Sequence, residues 1–446
     1  MANTKTDLLH GEPAKPLLLL TVPLLLGNLL QQLYNTIDSL IIGRFLGVEA
    51  FASAGVSGTL MNLFIFVLNG FCLGAGIIFG QLYGAGKRSD YRKAVFTALS
   101  AGSLVTLLLS GAFILFLVPL LKLINTPEEL IIYCRAYLTV ILGGLIATYL
   151  YNLFSGILRS VGDTKAALYV LLISVIGNAL LDFLFVGPLS FGIRGAAAAT
   201  VIAQSFSALC CFAYIRKCYP ELLFGKEEIG FHAGLLAKLF HLGSVSALQQ
   251  SSLYLGKILV QGAVNTCGTS VIAAYTATTR IEAFVNSAGE AGSQAGTIAI
   301  SQNYGAGDIA RVRLIFKRCI QMFCGLAAAL SVIMYFAAPA CLSIFLDAGD
   351  TEAMAAGCAY FKVIFFFYVL CYSAYIFAAH NKGIGHVFYS FAATTLHLSI
   401  RVILSGILIG RMGLSAVAWA TGIGWIFSNI FNVLVYIRIY AGEKRK

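Results

Sequence analysis

The sequence predicts an all-α polytopic membrane protein, with twelve transmembrane helices arranged as two six-helix lobes related by internal pseudo-symmetry. Three observations predict it. The 446 residues are 59% hydrophobic and only 11% charged, with a mean hydropathy of +0.86. A soluble protein must cover its surface with polar groups, and this chain has too few of them. Apolar stretches long enough to cross the hydrocarbon core, about 20 residues each, recur along the whole chain. Finally, motifs in the first half return in the second at a fixed offset.

The apolar runs lie near residues 16–43, 51–81, 91–121, 128–158, 165–190, 195–218, 233–263, 270–301, 309–346, 352–380, 387–410 and 413–440. Asp7, Glu12 and Pro13 precede the first, and that run carries many polar groups, so a cleaved signal peptide is not expected. Lysine and arginine set the orientation. Lys5, Lys87, Arg88, Arg92, Lys93, Arg311, Arg313, Lys317, Arg318 and Lys444 to Lys446 all fall on one side. The other side holds little beyond Arg44, Lys122, Arg135, Arg194, Lys362 and Arg411. Basic loops stay in the cytoplasm, which predicts a multi-pass protein of the cell (inner or plasma) membrane with both termini cytoplasmic. The net charge of +11 is explained in the same way, by basic loops against anionic lipid, so no nucleic-acid partner is expected.

Gln81-Leu82-Tyr83-Gly84-Ala85-Gly86 recurs as Gln302-Asn303-Tyr304-Gly305-Ala306-Gly307, and each copy leads into a basic segment. Gly192-Ile193-Arg194-Gly195-Ala196 is echoed by Gly413-Leu414-Ser415-Ala416-Val417, and Thr200 by Thr421. Both echoes are offset by 221 residues. An even number of spans per repeat gives the two halves the same orientation, about an axis along the membrane normal. The expected organisation is a lobe over 1–218, a cytoplasmic linker over 219–232 and a second lobe over 233–446. The glycine-rich pieces read as tight turns rather than phosphate cradles, since GxxxxGK[ST] is missing.

Polar residues at helical spacing inside the runs point to function, because lipid-facing surfaces do not hold them. Asn28, Gln31, Gln32, Asn35, Asp38 and Ser39 form one such face in the first run, with Tyr34 a turn before Asp38. Span 4 offers Thr148, Asn152, Ser155 and Arg159, span 5 Asn178 and Asp182, and span 6 Thr200, Gln204 and Ser207. In the second half the candidates are Lys257 in span 7 and Glu282 and Glu290 in span 8. Amides and hydroxyls also tie helices together without any transport role. Asp38 and Asp182 carry more weight: a carboxylate at the bilayer centre costs roughly 2.5–3.5 kcal/mol, and neither has a basic residue within a turn on its own helix. The eleven cysteines include no CxxC pair and the six histidines show no ligand spacing, so no cofactor and no metal beyond a possible Na⁺ is expected, and the chain does not read as an enzyme.

Taken together, the spans, the string Pro23…Asn28…Gln32-Leu33-Tyr34-Asn35-Thr36-Ile37-Asp38…Gly43-Arg44-Phe45-Leu46-Gly47, the paired YGAG turns, Arg159-Ser160-Val161-Gly162-Asp163-Thr164 and Gly177-Asn178-Ala179-Leu180-Leu181-Asp182 resemble the MATE (multidrug and toxic-compound extrusion) family, prokaryotic branch, over nearly the whole chain. The resemblance implies a monomeric, cation-coupled antiporter that exports small organic, often cationic compounds by alternating access. It implies a coupling-ion site, for Na⁺ or H⁺, at Asp38, Asn178, Asp182 and Thr200. Tyr34, Asn152, Ser155, Gln31 and Asn35 would support it or line a substrate cavity, and Pro23 would let span 1 bend. Some branches place an acid in span 7. Here that helix offers Gln249, Gln250 and Lys257, which leaves the roles of Lys257, Glu282 and Glu290 open. A lipid-linked oligosaccharide flippase of the same general architecture is the alternative. Its cavity would carry several cations, against Lys257, Arg280 and Arg401 here.

Overall fold

The computed structural model describes residues 6–124, 126–347 and 349–443. Lys5 and Lys444, Arg445 and Lys446, used above for orientation, lie outside the described residues, as does the Ser39 side chain. Twelve helical rods follow one another. In the first half they are α1 (Ala14–Gly47), α2 (Glu49–Gly84), α3 (Arg88–Leu123), α4 (Glu128–Gly143 continued by Leu145–Ser160), α5 (Thr164–Val186) and α6 (Gly192–Cys218). In the second half they are α7 (Ala233–Val264), α8 (Thr269–Gly305), α9 (Ile309–Leu342), α10 (Thr351–Gly383), α11 (Val387–Met412) and α12 (Ser415–Glu443). Each coincides with one apolar run of the sequence, and no strand occurs among the described residues.

Ten of the twelve are long and apolar enough to cross a bilayer, α4 among them as a pair bent by 46°. The exceptions, α7 and α8, have the length. Their interiors carry Lys238 and Lys257, and Arg280, Glu282, Asn286 and Glu290. Helices this polar are kept in a membrane only by facing protein or water.

Helix ends follow local chemistry. The Asp163, Asp308 and Asp350 carboxylates accept from Ala166 N, Arg311 N and Ala353 N, which caps α5, α9 and α10. The two YGAG turns are identical in their hydrogen bonds. Lys87 N bonds Leu82 O and Gly86 N bonds Tyr83 O, each at 3.1 Å; Asp308 N bonds Asn303 O at 3.0 Å and Gly307 N bonds Tyr304 O at 3.1 Å. Gly86 (φ 68°) and Gly307 (φ 80°) occupy the left-handed position that this closure needs. The same turn closes α4 and α10, through Asp163 N to Leu158 O at 3.0 Å and His386 N to Asn381 O at 2.8 Å. The duplication is therefore a repetition of backbone geometry as well as of letters.

The chain divides into two compact units: residues 1–7 with Val22–Ala247, and Leu8–Thr21 with Leu248–Lys446. The division does not follow the linker. It runs through α1 just before Pro23 and through the middle of α7, so that Ala233–Ala247 belongs with the first unit. The segment Pro220–Glu228 also stays on the first unit, where Arg92 Nε pairs with a Glu228 oxygen at 2.9 Å.

Within the first unit, helices meet where side chains are absent. A Cβ on Gly70 or Gly74 of α2 would lie 2.3 Å from Ala247 N or 2.7 Å from Gly243 N of α7. One on Gly102 of α3 would overlap the Tyr149 hydroxyl, which donates to Ala98 O at 2.6 Å. Gly144, at the bend of α4, receives Val201 of α6. Small residues that admit a neighbouring helix are the usual device for packing in lipid, where burial alone gives helices no reason to associate. In the second unit, Gly292 and Gly289 of α8 receive Phe323 and Tyr375. The Arg311 guanidinium there holds the carbonyls of Leu8, His10 and Gly11 at 2.8–3.2 Å, and Arg318 Nε pairs with Glu12 at 2.8 Å.

Candidate functional site

Three helices of the first unit each contribute two polar residues one turn apart, the spacing that puts both on one face. These are Tyr34 and Asp38 on α1, Asn178 and Asp182 on α5, and Thr200 and Gln204 on α6. The three faces converge. Asp38 adjoins Asp182, Asp182 adjoins Asn178, and the Tyr34 hydroxyl adjoins Thr200 and Gln204. Ser174 Oγ donates to Ala203 O at 3.4 Å and helps join α5 to α6. Asp182 is 0% and Asn178 1% exposed, so these are interior groups.

The neighbours adjoin without closing well-formed hydrogen bonds. Asp38 Oδ1, both Asp182 oxygens, Asn178 Nδ2, the Tyr34 hydroxyl and Gln204 Oε1 are buried with no hydrogen-bond partner among the described residues. Leaving a buried polar group unmatched costs about 1–3 kcal/mol, more if it is charged. Five oxygens and one amide nitrogen are thus left unmatched in one cluster. Two buried carboxylates repel each other, and a bound cation or a proton held between them removes the repulsion.

Sequence reading named Asp38, Tyr34, Asn178, Asp182 and Thr200, and the structure brings all five together. Of the span-4 candidates, Asn152 makes a bond of its own. Asn152 Nδ2 donates to Thr148 O of its own helix at 2.9 Å, and Ser155 is buried beside Tyr151. The first-run stripe also divides. Gln31, Gln32 and Asn35 are exposed, whereas Tyr34 is buried and Asp38 half-buried at the stripe's edge. Pro23 lies inside α1 with helical backbone on either side; the departure from helical geometry comes at Gly47 (φ 84°, ψ −176°). Tyr137, buried in the first half of α4, stands within electrostatic reach of Asp38, Tyr34 and Asp182. A lone tyrosine in an apolar run leaves no periodic signal, which is why the sequence did not mark it.

The second unit holds its own charged cluster. Tyr360 Oη donates to Glu282 Oε2 at 2.9 Å, while Glu282 Oε1 is buried and unpartnered. Arg401 and Lys257 lie within electrostatic reach of Glu282, and Lys257 and Lys382 within reach of Glu290. Among the described residues no three His, Cys, Asp or Glu side chains converge on a metal-sized site.

The chain is similar to known proteins over most of its length. The MatE family profile matches residues 23–184 and again 246–407, one match per repeat. The chain is 29% identical to the probable multidrug resistance protein YoeA of Bacillus subtilis, over 80% of this chain and 79% of that one. It is 26% identical to YpnP, another probable multidrug resistance protein of the same organism, over 96% of each. Among solved structures, a MATE in the bent conformation superposes with a TM-score of 0.90 at 22% identity, covering 100% of this chain and 99% of that one. A MOP superfamily transporter from Pyrococcus furiosus, described as having a binding pocket of reverse polarity, gives 0.86 at 21% identity over the whole of both chains. With the profile matched in both repeats, the chain belongs to the MatE family of multidrug efflux transporters.

Proposed function

We propose that the protein is an antiporter that exports small organic cations by alternating access and is driven by Na⁺ or H⁺ bound at Asp38 and Asp182. One observation carries the reading: two adjoining carboxylates inside spanning helices, their buried oxygens unmatched and surrounded by Asn178, Thr200 and the Tyr34 hydroxyl. Oxygen-rich ligands suit a hard cation, and the same carboxylates can hold a proton. The test is ethidium uptake into inside-out membrane vesicles under a Na⁺ gradient and, separately, a proton gradient. Uptake driven by one of them is expected. Uptake that needs neither removes the coupling.

The orientation belongs to the same proposal, with the protein in the plasma membrane as a monomer and both termini cytoplasmic. A single cysteine at Ala306, in a cysteine-free background, is expected to resist an impermeant maleimide in intact cells and to react after permeabilisation. Labelling of intact cells would reverse the topology.

A further inference from the structure

A groove of about 320 Å³ lies in the second unit between α10 and α12, lined by Leu370, Ile426, Asn429, Ile430, Val433 and Leu434. That is the lower end of the roughly 300–1,000 Å³ of pockets that hold small organic molecules. Ile426, Ile430, Val433 and Leu434 are all exposed. Lipid tails are as apolar as leucine, so such a face of a spanning helix rests in hydrocarbon.

Asn429 is the one polar residue of the six and the central residue of α12, with about 21 Å of helix on either side. It therefore sits at the depth of the bilayer centre, where no water is at hand. Its amide is fixed: Nδ2 donates to Leu370 O of α10 at 2.9 Å and to Trp425 O of its own helix at 2.8 Å. Oδ1 is buried with no hydrogen-bond partner among the described residues, on a residue only 9% exposed. An unmatched buried acceptor costs about 1–3 kcal/mol. Its protein neighbours supply no donor, so a donor has to come from outside the fold, and the groove is the opening beside it. Phospholipid tails have the bulk to fill the groove but carry no donor to this depth.

We infer that the groove is a binding site for a membrane-dissolved apolar molecule bearing one hydroxyl group, a phenol or an alcohol, whose O–H donates to Asn429 Oδ1. Its hydrocarbon would lie against Ile426, Ile430, Val433 and Leu434. The ligand class follows from the site. Aliphatic walls exclude charge, and a single fixed acceptor selects a single donor. The inference goes beyond the export reading and uses no residue of the proposed ion site.

The test uses two quenchers of tryptophan fluorescence that differ at one group: 4-bromo-4′-hydroxybiphenyl and its methyl ether. Trp425 lies one turn before Asn429 and reports on the site. Protein reconstituted in phosphatidylcholine vesicles is titrated with each compound, and concentrations are expressed per lipid so that partitioning cancels. The wild type is expected to show saturable quenching, the phenol half-saturating at about tenfold lower concentration than the ether, the scale of one hydrogen bond. Asn429→Leu is expected to remove that preference. Val433→Phe, which fills the groove and leaves the Asn429 bonds alone, is expected to remove saturation for both compounds. Because both are read on the same sample, loss of folded protein does not imitate a changed preference. Wild-type quenching that rises linearly with both compounds, as partition into lipid alone or a groove covered by a second copy of the chain would give, overturns the site. So does equal affinity for the two compounds, a preference kept in Asn429→Leu, or saturation kept in Val433→Phe.

Discussion

The double variant Asp38→Asn/Asp182→Asn is expected to lose little more ion-coupled export than either single variant, each of which should lose most of it. The two carboxylates adjoin one another, with unmatched oxygens on both, so on the proposed function they would share one cation. Contacting groups that act as a unit give non-additive effects. Removing one charged ligand should weaken ion affinity roughly 10–100-fold, the scale of a hydrogen bond or contact to a charged group. After that loss the second carboxylate has little left to bind. If Na⁺ is the coupling ion, its binding requires ionised carboxylates, so protons compete and the apparent Na⁺ affinity falls as the pH falls. The measurement is ethidium uptake against Na⁺ concentration at two pH values, for wild type, both singles and the double, at matched protein amounts. Additive losses, or full coupled transport in Asp182→Asn, would show that the two aspartates do not share a site.

The second large effect is on folding. Gly70→Ala is expected to destabilise the protein by about 1–3 kcal/mol or more, because its new methyl would lie 2.3 Å from Ala247 N and 2.4 Å from Ala247 Cα. Backbone atoms of a packed helix have no rotamer to retreat into. The same substitution at Gly111, exposed on α3 with nothing within 4 Å of the new Cβ, is expected to be neutral or stabilising by about 0.4–1 kcal/mol through the unfolded chain. Thermal stability of the solubilised protein, followed by size-exclusion chromatography after heating, compares the pair. Equal melting of Gly70→Ala and Gly111→Ala would contradict the close approach of α2 to α7.

Hydrophobic periodicity was sufficient to number the spans, since twelve apolar runs became twelve helices. The four-residue spacing of Asn178 and Asp182 was likewise sufficient to put them on one face of α5. What it did not disclose depends on how helices rotate and bend. Whether Asp38 shares a face with Gln31 and Asn35 or with Tyr34 turns on the packing of α1, which places Tyr34 inside and the glutamines outside. Asn152 donates to Thr148 O four residues back on its own helix, a bond the sequence pattern does not disclose. Tyr137 lies within electrostatic reach of Asp38 and Asp182, and a glycine pair in an apolar run does not announce the 46° bend of α4.

The division of the chain has a consequence for how the molecule assembles. Cutting it in the 219–232 linker would yield two polypeptides, neither of which contains one whole unit. The first would keep Leu8–Thr21, which packs with the second unit through Arg311 and Arg318, and the second would keep Ala233–Ala247, which packs on Gly70 and Gly74 of the first. Each fragment would thus carry an arm that only its counterpart can receive. Co-expressed fragments are expected to reconstitute by reciprocal exchange of these arms, in the manner of a swapped heterodimer. During synthesis the first unit lacks its last segment until Ala233–Ala247 of α7 emerges, so completion of the amino-terminal half follows the linker.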